Sequence, residues 1–236
     1  MERTSWRRRA RAFVPALLLL FALAGWMLPA APGPAAEADA VLETGEGEPC
    51  PTVPAGQKLI ALTFDADRAS AIHLRILDAL KEYGANATFF VLGSNADNFP
   101  DILQRMVLEG NEIGNHTYSH KQLTTLSKEN IEEEIIATQE SIYDITHRYP
   151  DVIRPPYGSK NKTVMECAKG KRIVTWSLDT RDWHDRDAKV VVERLLKQVQ
   201  DGDIILMHDL YASTASAVQE LVSKAAGAGV SAGDRV

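Results

Sequence analysis

The feature that most limits the fold of this chain is a regular alternation of short apolar runs with segments of helical periodicity. The runs at residues 58–64, 87–92 and 203–207 have the length and composition of buried strands. A segment with apolar residues on one helical face, ended by Gly84, follows the first run. Alternating strands and helices predict an α/β fold with a parallel sheet covered by helices. Because the runs are apolar at nearly every position, we expect strands that are buried on both faces.

The remaining elements are predicted from the same signals. Further strands are expected at residues 112–114, 152–153 and 172–178, and helices at residues 101–109, 187–200 and 213–226. Ser127 is expected to cap a long helix. We interpret the acidic run near the positive end of this helix as a solvated helix start and not as a metal site; it contains Glu129, Glu132, Glu133 and Glu134.

Polar clusters follow the carboxyl ends of five apolar runs. They are Asp65, His116 with His120, Arg154, Asp179 with Asp182, and His208. Each cluster alone has an ordinary structural explanation, such as a helix cap or a surface ion pair. In a (β/α) barrel, however, the carboxyl ends of the strands meet at one mouth, where such enzymes place their chemistry. Five clusters in the same structural position therefore predict one shared active site.

The two histidines of the segment Asn115–His120 are four residues apart. In a helical turn this spacing places both imidazoles on one face, and neutral imidazole suits zinc and neighbouring divalent metals. An isolated His-x-x-x-His pair is more often a feature of a surface loop. The position of His116 and His120 after an apolar run, together with the other clusters, favours a metal site.

The N-terminal part of the chain reads as an export signal. Arg7–Arg9 and Arg11 precede an uncharged apolar run at residues 12–28 and a small-residue stretch at residues 29–36. This order is typical of a secretory signal peptide. The run of 17 residues is also at the lower edge of a membrane span, so an uncleaved anchor is the alternative. We expect an exported protein that lies in the cell wall, outside the cell, or on the outer face of the membrane.

Three regions follow from this organisation: a signal peptide or membrane anchor at residues 1–36, a flexible linker at residues 37–56, which are rich in Pro, Gly and acidic residues, and a folded domain at residues 57–236. Removing the first region takes away five arginines and one glutamate, which moves the formal net charge from −6 to −10. Such an acidic domain argues against nucleic acid as a partner and fits a neutral substrate better.

The two cysteines, Cys50 and Cys167, form neither a metal motif nor a redox pair. In an exported protein they could form one disulfide between the linker and the domain. We favour two unpaired thiols, because spacing alone does not establish the geometry that a disulfide needs.

Five motifs in order resemble the polysaccharide deacetylase family, also called carbohydrate esterase family 4 or the NodB-homology domain. They are Thr63–Asp67, His116–His120, Arg154–Gly158, Asp179–Trp183 and Leu206–His208. The resemblance extends from about Lys58 to about Gly227 and implies a distorted, often incomplete (β/α) barrel. It also implies metal-assisted removal of the acetyl group from an N-acetylated sugar, with N-acetylglucosamine of peptidoglycan as the expected substrate. No protein partner is inferred.

The resemblance assigns roles to the reacting groups. His116 and His120 would hold a divalent metal, with Zn²⁺ expected first and Co²⁺ or another first-row ion as the alternative. Asp65 would be the general base, and Arg154 would pair with it and keep its pKa low. His208 would be the general acid, which requires a pKa near neutrality.

The same resemblance assigns supporting roles to four more residues. Asp182 would orient and tune the acid His208. The backbone N–H of Tyr157 would help to hold the developing oxyanion. Trp183 and Leu206 would line a small apolar pocket for the acetyl methyl group.

One departure from the family pattern bears on the metal. The family usually reads Thr-Phe-Asp-Asp-Gly, and its second Asp is the third metal ligand, whereas this chain has Ala66 at that position. Asp67 is the hypothetical replacement ligand, although it occupies the place of a glycine whose permissive backbone is lost. Without it, two histidines and solvent would hold the ion more weakly. The chain also ends soon after its last helix, at residues 229–236, where the family generally adds another strand.

Several alternatives stay open at this stage. Chitin oligosaccharides and acetylated xylan are other substrates for the same site. A glycan-binding relative that has lost its metal through Ala66 is the alternative from a different functional class. A zinc peptidase is a weaker alternative, because the chain contains no His-Glu-x-x-His motif.

Overall fold

The computed structural model describes residues 59–66 and 71–228, with the side chains of residues 59–66 and 72–225. Seven strands form one sheet in which the assigned pairs are all parallel. The strands are β1 (Ala61–Ala66), β2 (Thr88–Val91), β3 (Glu112–Asn115), β4 (Val152–Ile153), β5 (Arg172–Ile173), β6 (Leu178–Asp179) and β7 (Ile204–His208). Residues 1–58, the predicted ligand Asp67, and the tail at 229–236 lie outside the described residues.

Eight helices accompany the sheet within the described part of the chain. They are α1 (Ala71–Glu82), α2 (Gly93–Asn98), α3 (Pro100–Leu108), α4 (Lys128–Thr146), α5 (Lys162–Cys167), α6 (Asp182–Asp185), α7 (Ala188–Gln198) and α8 (Ala212–Ala228). Short 3₁₀ turns lie at Leu123–Thr125 and Pro156–Gly158. Over residues 59–66 and 71–228, no helix is both long and apolar enough to cross a membrane.

The strand order is that of a barrel opened at one place. It runs β5-β4-β3-β2-β1-β7-β6. Strands that are consecutive in the chain are neighbours in the sheet, except for β5 and β6, which are its two edges, and β7 pairs with β1. Such a curled half-barrel with covering helices confirms the predicted α/β fold, a distorted and incomplete (β/α) barrel.

The prediction of one continuous strand at residues 172–178 is wrong. Its first half pairs with β4 and its second half with β7. Val174 still donates its N–H to the carbonyl of Ile153, whereas Ser177 already donates to the carbonyl of Ile204. The two flanking strands have no direct pairing, so the segment changes partners and crosses from one edge of the sheet to the other at Thr175 and Trp176.

The core lies between the sheet and the helices that cover it. Phe64 of β1 and Phe89 of β2 are fully buried and stack with their ring centroids 5.0 Å apart. Helix α1 buries Ile76 and Leu80 against this layer, as its apolar periodicity predicts. These contacts hold β1, which carries Asp65, at the centre of the sheet.

Helix α4 begins as predicted, because the hydroxyl of Ser127 accepts the N–H of Asn130 at 3.4 Å. Helix α2 was not predicted. Its sequence, Gly-Ser-Asn-Ala-Asp-Asn, has no apolar periodicity, and its position depends on contacts with a loop far away in the chain. Gly93 and Ser94 donate their N–H groups to the carbonyls of Thr117 and Tyr118. This helix therefore supports the loop that carries the histidine pair.

Candidate active site

The carboxyl ends of the strands bring the predicted site residues to one edge of the sheet. Asp65 of β1 and His208 of β7 are paired in the register of neighbouring parallel strands. His116 follows β3 directly, and Arg154 follows β4. Asp65, His116 and Arg154 are all buried, with exposed fractions of 6%, 0% and 0%. Asp65, His116, Arg154 and His208, which come from four of the predicted clusters, thus lie at one edge of the sheet.

Arg154 is the central group of this site. Its guanidinium donates from Nη1 to Oδ1 of Asp65 and from Nη2 to the hydroxyl of Thr63, both at 2.8 Å. It also donates to the carbonyls of Val174 and Thr175 in the crossing segment. Its carbon Cζ lies 4.0 Å from the ring centroid of Phe90. The predicted pairing of Arg154 with Asp65 is present, and the same side chain binds the segment that bridges the opening of the barrel.

The surroundings of Asp65 favour its ionised form. Burial by itself raises the pKa of this carboxyl group, but the attraction of His116 and His208 in their protonated forms, and the charge and hydrogen bond of Arg154, outweigh it. The net result is a pKa below the ordinary value of 3.8. Asp65 is therefore a carboxylate at neutral pH, which is the form that a proton acceptor requires.

His116 is oriented by the backbone of the next strand. Its Nδ1 lies 2.7 Å from the carbonyl oxygen of Arg154. Because a carbonyl only accepts hydrogen bonds, Nδ1 carries the proton, and in the neutral ring Nε2 carries the lone pair. That Nε2 lies 3.5 Å from Oδ2 of Asp65. The arrangement is the one found in metal-ligating histidines, where a hydrogen bond at the other ring nitrogen sets the tautomer.

The approach of His120 comes from a loop and not from a helical turn. The rings of His116 and His120 have centroids 5.0 Å apart, tilted by 57°. Thr117 and His120 adopt left-handed backbone conformations, with φ of 69° and 59°, so the helical geometry considered for this spacing is wrong. Burial lowers the pKa of His120, which favours the neutral imidazole that a metal needs.

These two imidazoles fit a divalent ion, as judged from the tautomer of His116 and the separation of the rings. Among residues 59–66 and 71–228, no group of three or more His, Cys, Asp or Glu residues is arranged to hold a metal. Ala66, which has no donor atom, is buried and lines a small cavity together with His73 and Phe99. The assignment of Asp67 as a third ligand stays a prediction.

Asp182 binds both the ring and the backbone of His208. Oδ1 of Asp182 lies 2.9 Å from Nδ1 of His208, and Oδ2 accepts the backbone N–H of the same histidine at 2.7 Å. The hydroxyl of Thr214 donates to Oδ2 at 2.7 Å, and the N–H of Trp183 donates to Oδ1 at 2.9 Å. Asp182 is fully buried. Because Nδ1 donates to the carboxylate, Nε2 is the ring nitrogen that can exchange a proton with a substrate.

The three residues predicted to contact the substrate lie around this centre. Tyr157 has a left-handed backbone (φ 61°) in the turn at Pro156–Gly158, and its exposed ring meets His120 edge-on at 4.9 Å between centroids. Leu206 is buried in β7, two residues before His208, so both side chains lie on the same face of that strand. Trp183, in α6 beside Asp182, is 43% exposed.

Sequence reasoning missed several supporting residues. Thr63 accepts a hydrogen bond from Arg154. It lies two residues before Asp65, so the strand periodicity already placed both side chains on the same face of β1. Thr214 had no such signal, because its contact with Asp182 joins elements 32 residues apart. The interpretation of the acidic run on α4 as solvated is wrong for Glu134. This residue is 6% exposed and binds the histidine loop, whereas the neighbouring Glu133 is exposed.

Cys167 is half-buried and has a free thiol that lies 3.8 Å from the carbonyl of Lys128. The other cysteine, Cys50, lies outside the described residues, so the preference for two unpaired thiols stays a prediction.

Comparison with known proteins identifies the relatives of this chain. A model of the family named polysaccharide deacetylase matches residues 52–174. The peptidoglycan-N-acetylmuramic acid deacetylase PdaC of Bacillus subtilis is 44% identical over 173 residues, which are 73% of this chain and 37% of PdaC. The peptidoglycan-N-acetylglucosamine deacetylase PgdA of Listeria monocytogenes is 40% identical over 176 residues, 74% of this chain and 38% of PgdA. The chain thus spans less than two fifths of the length of these two curated relatives.

Solved structures agree with the fold. The structure of PdaC from Bacillus subtilis superposes with a TM-score of 0.71 at 42% identity, covering 75% of this chain and 87% of the PdaC chain. A pseudoenzyme of carbohydrate esterase family 4 from Bacillus anthracis superposes with a TM-score of 0.70 at 28% identity, covering 75% of this chain and 63% of that chain. A variant of that pseudoenzyme has restored enzymatic activity. The likeness therefore includes both an enzyme and a catalytically impaired protein.

Proposed function

The chain belongs to the polysaccharide deacetylase family, and from this premise we propose that it hydrolyses N-acetyl groups of peptidoglycan. The observation that carries the proposal is the pairing of Asp65 and His208 on adjacent strands, beside the convergent rings of His116 and His120. A carboxylate base, a histidine acid and a pair of imidazole ligands at one barrel mouth are groups that can together catalyse metal-assisted amide hydrolysis.

The acetylated sugar that we propose is N-acetylglucosamine. The two curated relatives divide on this point, since PgdA is named for N-acetylglucosamine and PdaC for N-acetylmuramic acid. N-acetylmuramic acid has an additional carboxyl group, which is a negatively charged carboxylate wherever it carries no peptide, and the chain is acidic, with a formal net charge of −6. Like charges disfavour association, so the acidic composition supports the neutral sugar.

The mechanism follows from the contacts of the acid and the base. Asp65, held by Arg154, accepts a proton from a water as the water attacks the acetyl carbonyl. Asp182 keeps Nδ1 of His208 protonated, so Nε2 of the imidazolium delivers a proton to the departing sugar amine. The products are acetate and a free amino sugar. When bound by His116 and His120, a divalent ion, which we propose to be Zn²⁺, supplies polarisation of the acetyl oxygen and acidification of the water.

The remaining residues hold the acetyl group in place. The backbone N–H of Tyr157, a residue with a left-handed backbone, would stabilise the negative oxygen that develops during attack. Leu206 and Trp183 would receive the acetyl methyl group, since Leu206 lies on the same face of β7 as the acid.

We further propose that the chain is exported. The support is the order of basic, apolar and small residues in the first 36 positions. Export would bring the site to a cell-wall polymer, either as a released protein or through a membrane tether at residues 12–28.

The test is acetate release from purified peptidoglycan, chitin oligomers and acetylated xylan, each with and without a chelator. We expect release from peptidoglycan that stops with chelator and returns on addition of Zn²⁺ or Co²⁺. Mass analysis of the muropeptides then assigns the lost acetyl group to N-acetylglucosamine or to N-acetylmuramic acid. Asp65→Asn is the inactive control. Absence of acetate from every N-acetylated glycan with added metal would contradict the proposal.

A second candidate is a glycan-binding relative without catalytic turnover. Ala66, in place of the family's ligand, and the likeness to a pseudoenzyme favour it. The double substitution Ala66→Asp with Asp67→Gly restores the usual family pattern. If only this variant binds Zn²⁺ and releases acetate, the second candidate is correct. If the unmodified chain already binds Zn²⁺ and releases acetate, it is an enzyme and the second candidate is wrong.

A further inference from the structure

The loop between the two predicted metal ligands has an unusual backbone. Thr117 and His120 both have positive φ angles, 69° and 59°. A β-branched residue such as threonine rarely adopts this conformation. Conformations of this kind persist only where the surrounding structure over-determines them. The contacts of the loop therefore decide where His120 lies relative to His116.

The carbonyl side of this loop is held by helix α2. The carbonyl of Thr117 accepts the N–H of Gly93 at 3.1 Å, and that of Tyr118 accepts the N–H of Ser94 at 3.2 Å. A side chain at position 93 would meet the ring of Tyr118 at 2.5 Å, so helix and loop lie in close contact there. These contacts use N–H groups of α2 and satisfy none of the N–H groups of the loop.

The N–H side of the loop is held by Glu134 of helix α4. Oε2 accepts the backbone N–H groups of Tyr118 and Ser119 at 3.0 and 2.8 Å. Oε1 accepts the hydroxyl of Ser119 at 2.5 Å and the ammonium of Lys121 at 3.0 Å. Four donors nearly exhaust the accepting capacity of one carboxylate. A buried side chain with so many partners in one short segment is unlike the solvated glutamates beside it.

The charge of Glu134 is part of this contact. Burial by itself raises the pKa of its carboxyl group, but the hydrogen bonds from Ser119 and Lys121 outweigh that effect, so the pKa lies below the ordinary value of 4.5. The carboxylate is therefore ionised near neutral pH. Hydrogen bonds to a charged acceptor are about twice as strong as neutral ones. An ionised Glu134 therefore stabilises the strained loop more than a neutral side chain would.

We propose that Glu134 is a positioning residue for the divalent ion that His116 and His120 would hold. It fixes the backbone between the two ligands and thereby sets the separation of their imidazoles. The inference rests on the proposed function. His116 and His120 are both predicted ligands, and a metal site needs its ligands in a defined geometry, so the backbone between them is part of the pre-organisation of the site.

The test compares Glu134→Gln with Glu133→Gln in the full chain. Both substitutions remove one negative charge from the same helix, but Glu133 is exposed. A glutamine at 134 has one accepting oxygen in place of two and no charge. We expect Glu134→Gln to weaken Zn²⁺ binding, measured by titration calorimetry, by about 10- to 100-fold, as is usual when outer contacts of metal ligands are lost. Glu133→Gln should bind Zn²⁺ as the unmodified chain does.

Two further variants separate positioning from general stability. Ile131→Val shortens a buried side chain of the same helix and should lower the unfolding temperature without changing Zn²⁺ affinity. Ser119→Ala removes one donor to Glu134 and should weaken affinity severalfold while the protein stays folded. If Glu134→Gln does not fold, the Zn²⁺ affinity of Ser119→Ala tests the positioning role of Glu134 in its place.

The outcomes are distinguishable. If the unmodified chain binds no Zn²⁺, the proposed metal site fails and this inference fails with it. If the unmodified chain binds Zn²⁺ and Glu134→Gln, or Ser119→Ala in its place, binds equally well, only the role of Glu134 is overturned. Amide hydrogen exchange at Tyr118 and Ser119 provides a metal-independent readout and should be faster in Glu134→Gln.

Discussion

At the scale of single residues, the candidate site contains two carboxylates, each of which accepts four hydrogen bonds. Asp182 accepts from His208 twice, from Trp183 and from Thr214, and Glu134 accepts four hydrogen bonds from the histidine loop. Neither residue needs to touch the substrate in order to control the reaction. Each holds a histidine, directly or through the backbone, in a defined orientation. Substitutions that keep the shape and remove the charge therefore test these residues best.

Asp182→Asn should reduce catalysis while leaving the fold intact. The amide nitrogen of asparagine donates where the carboxylate accepted, so Nδ1 of His208 would become an acceptor and its Nε2 would carry the proton in the neutral ring. Loss of the oriented acid should lower kcat by about 100-fold or more, with little change in KM. Steady-state acetate release over a range of pH measures this effect. Asp179→Asn is the matched control, since Asp179 accepts the N–H of Arg181 and has no hydrogen bond to His208 among the described residues, and an equal loss in both variants would contradict the role of Asp182.

The depressed pKa of Glu134 predicts a pH dependence of stability in the metal-free protein. Its folded pKa lies below the ordinary 4.5, so the folded state binds a proton less readily than the unfolded state. The stabilisation is therefore fully present above that ordinary value and is lost as the pH falls through the folded pKa. Urea unfolding between pH 7 and about pH 3.5 should give a shallower acid dependence for Glu134→Gln than for Glu133→Gln. Identical acid slopes in the two variants would argue against the buried ion contact.

At the scale of elements, Gly114 shows how one strand makes room for the site. A Cβ at this position would lie 2.5 Å from the ring of Phe90 and 3.0 Å from a methyl group of Val152. Phe90 in turn lies beneath the guanidinium of Arg154. The absence of a side chain in β3 thus lets an aromatic ring of β2 support the central arginine.

Gly114→Ala should therefore destabilise the protein by about 1–3 kcal/mol, the usual cost of an additional methyl group in a packed core. Denaturant unfolding measures the loss. Phe90→Leu provides the partner variant, because the smaller side chain leaves space for the new methyl group. We expect the double variant to lose less stability than the sum of the two single losses. Strict additivity would mean that the ring of Phe90 is not what the methyl group meets.

The elements also show what can be predicted from the chain alone. β1 and β7 were predictable because their residues are apolar at nearly every position and because both strands lie between other strands of the sheet. Helix α2 was not predictable, since its sequence is polar and the helix is held in place by contacts with the loop after β3. The split between β5 and β6 was not predictable either, because an apolar run does not specify which of two strands it pairs with.

The residues of the candidate site also fall into a group that could be predicted from the sequence and a group that could not. The chemically distinctive groups, such as Asp65 and His208, follow strand ends and were found from that position. The groups that orient them, such as Glu134 and Thr214, come from helices, and their types and spacing resemble those of ordinary solvated or capping residues. Their roles arise only when elements distant in the chain come together.

At the scale of the whole molecule, the opening of the barrel and the candidate site are joined by one side chain. The two edges of the sheet, β5 and β6, are bridged only by the short segment through Thr175 and Trp176 in the described part of the chain. Arg154 donates to two carbonyls of this segment and to Asp65 of β1. The residue that donates to the proposed base Asp65 thus also links the bridge to β1. Damage to this link should affect the barrel and the catalysis together.

Arg154→Lys tests this link, because a lysine keeps the charge but cannot span Asp65 and the crossing segment with a single ammonium. We expect a loss of about 3 kcal/mol in the free energy of unfolding, corresponding to one or two hydrogen bonds to a charged group, and faster amide hydrogen exchange at residues 174–178. Arg172→Lys is the matched control in β5, because Arg172 is exposed and reaches Glu112 only at 3.9 Å. It should change stability by less than about 0.5 kcal/mol. Protection at residues 174–178 that survives Arg154→Lys would show that the bridge is held by its flanking strands and not by the central arginine.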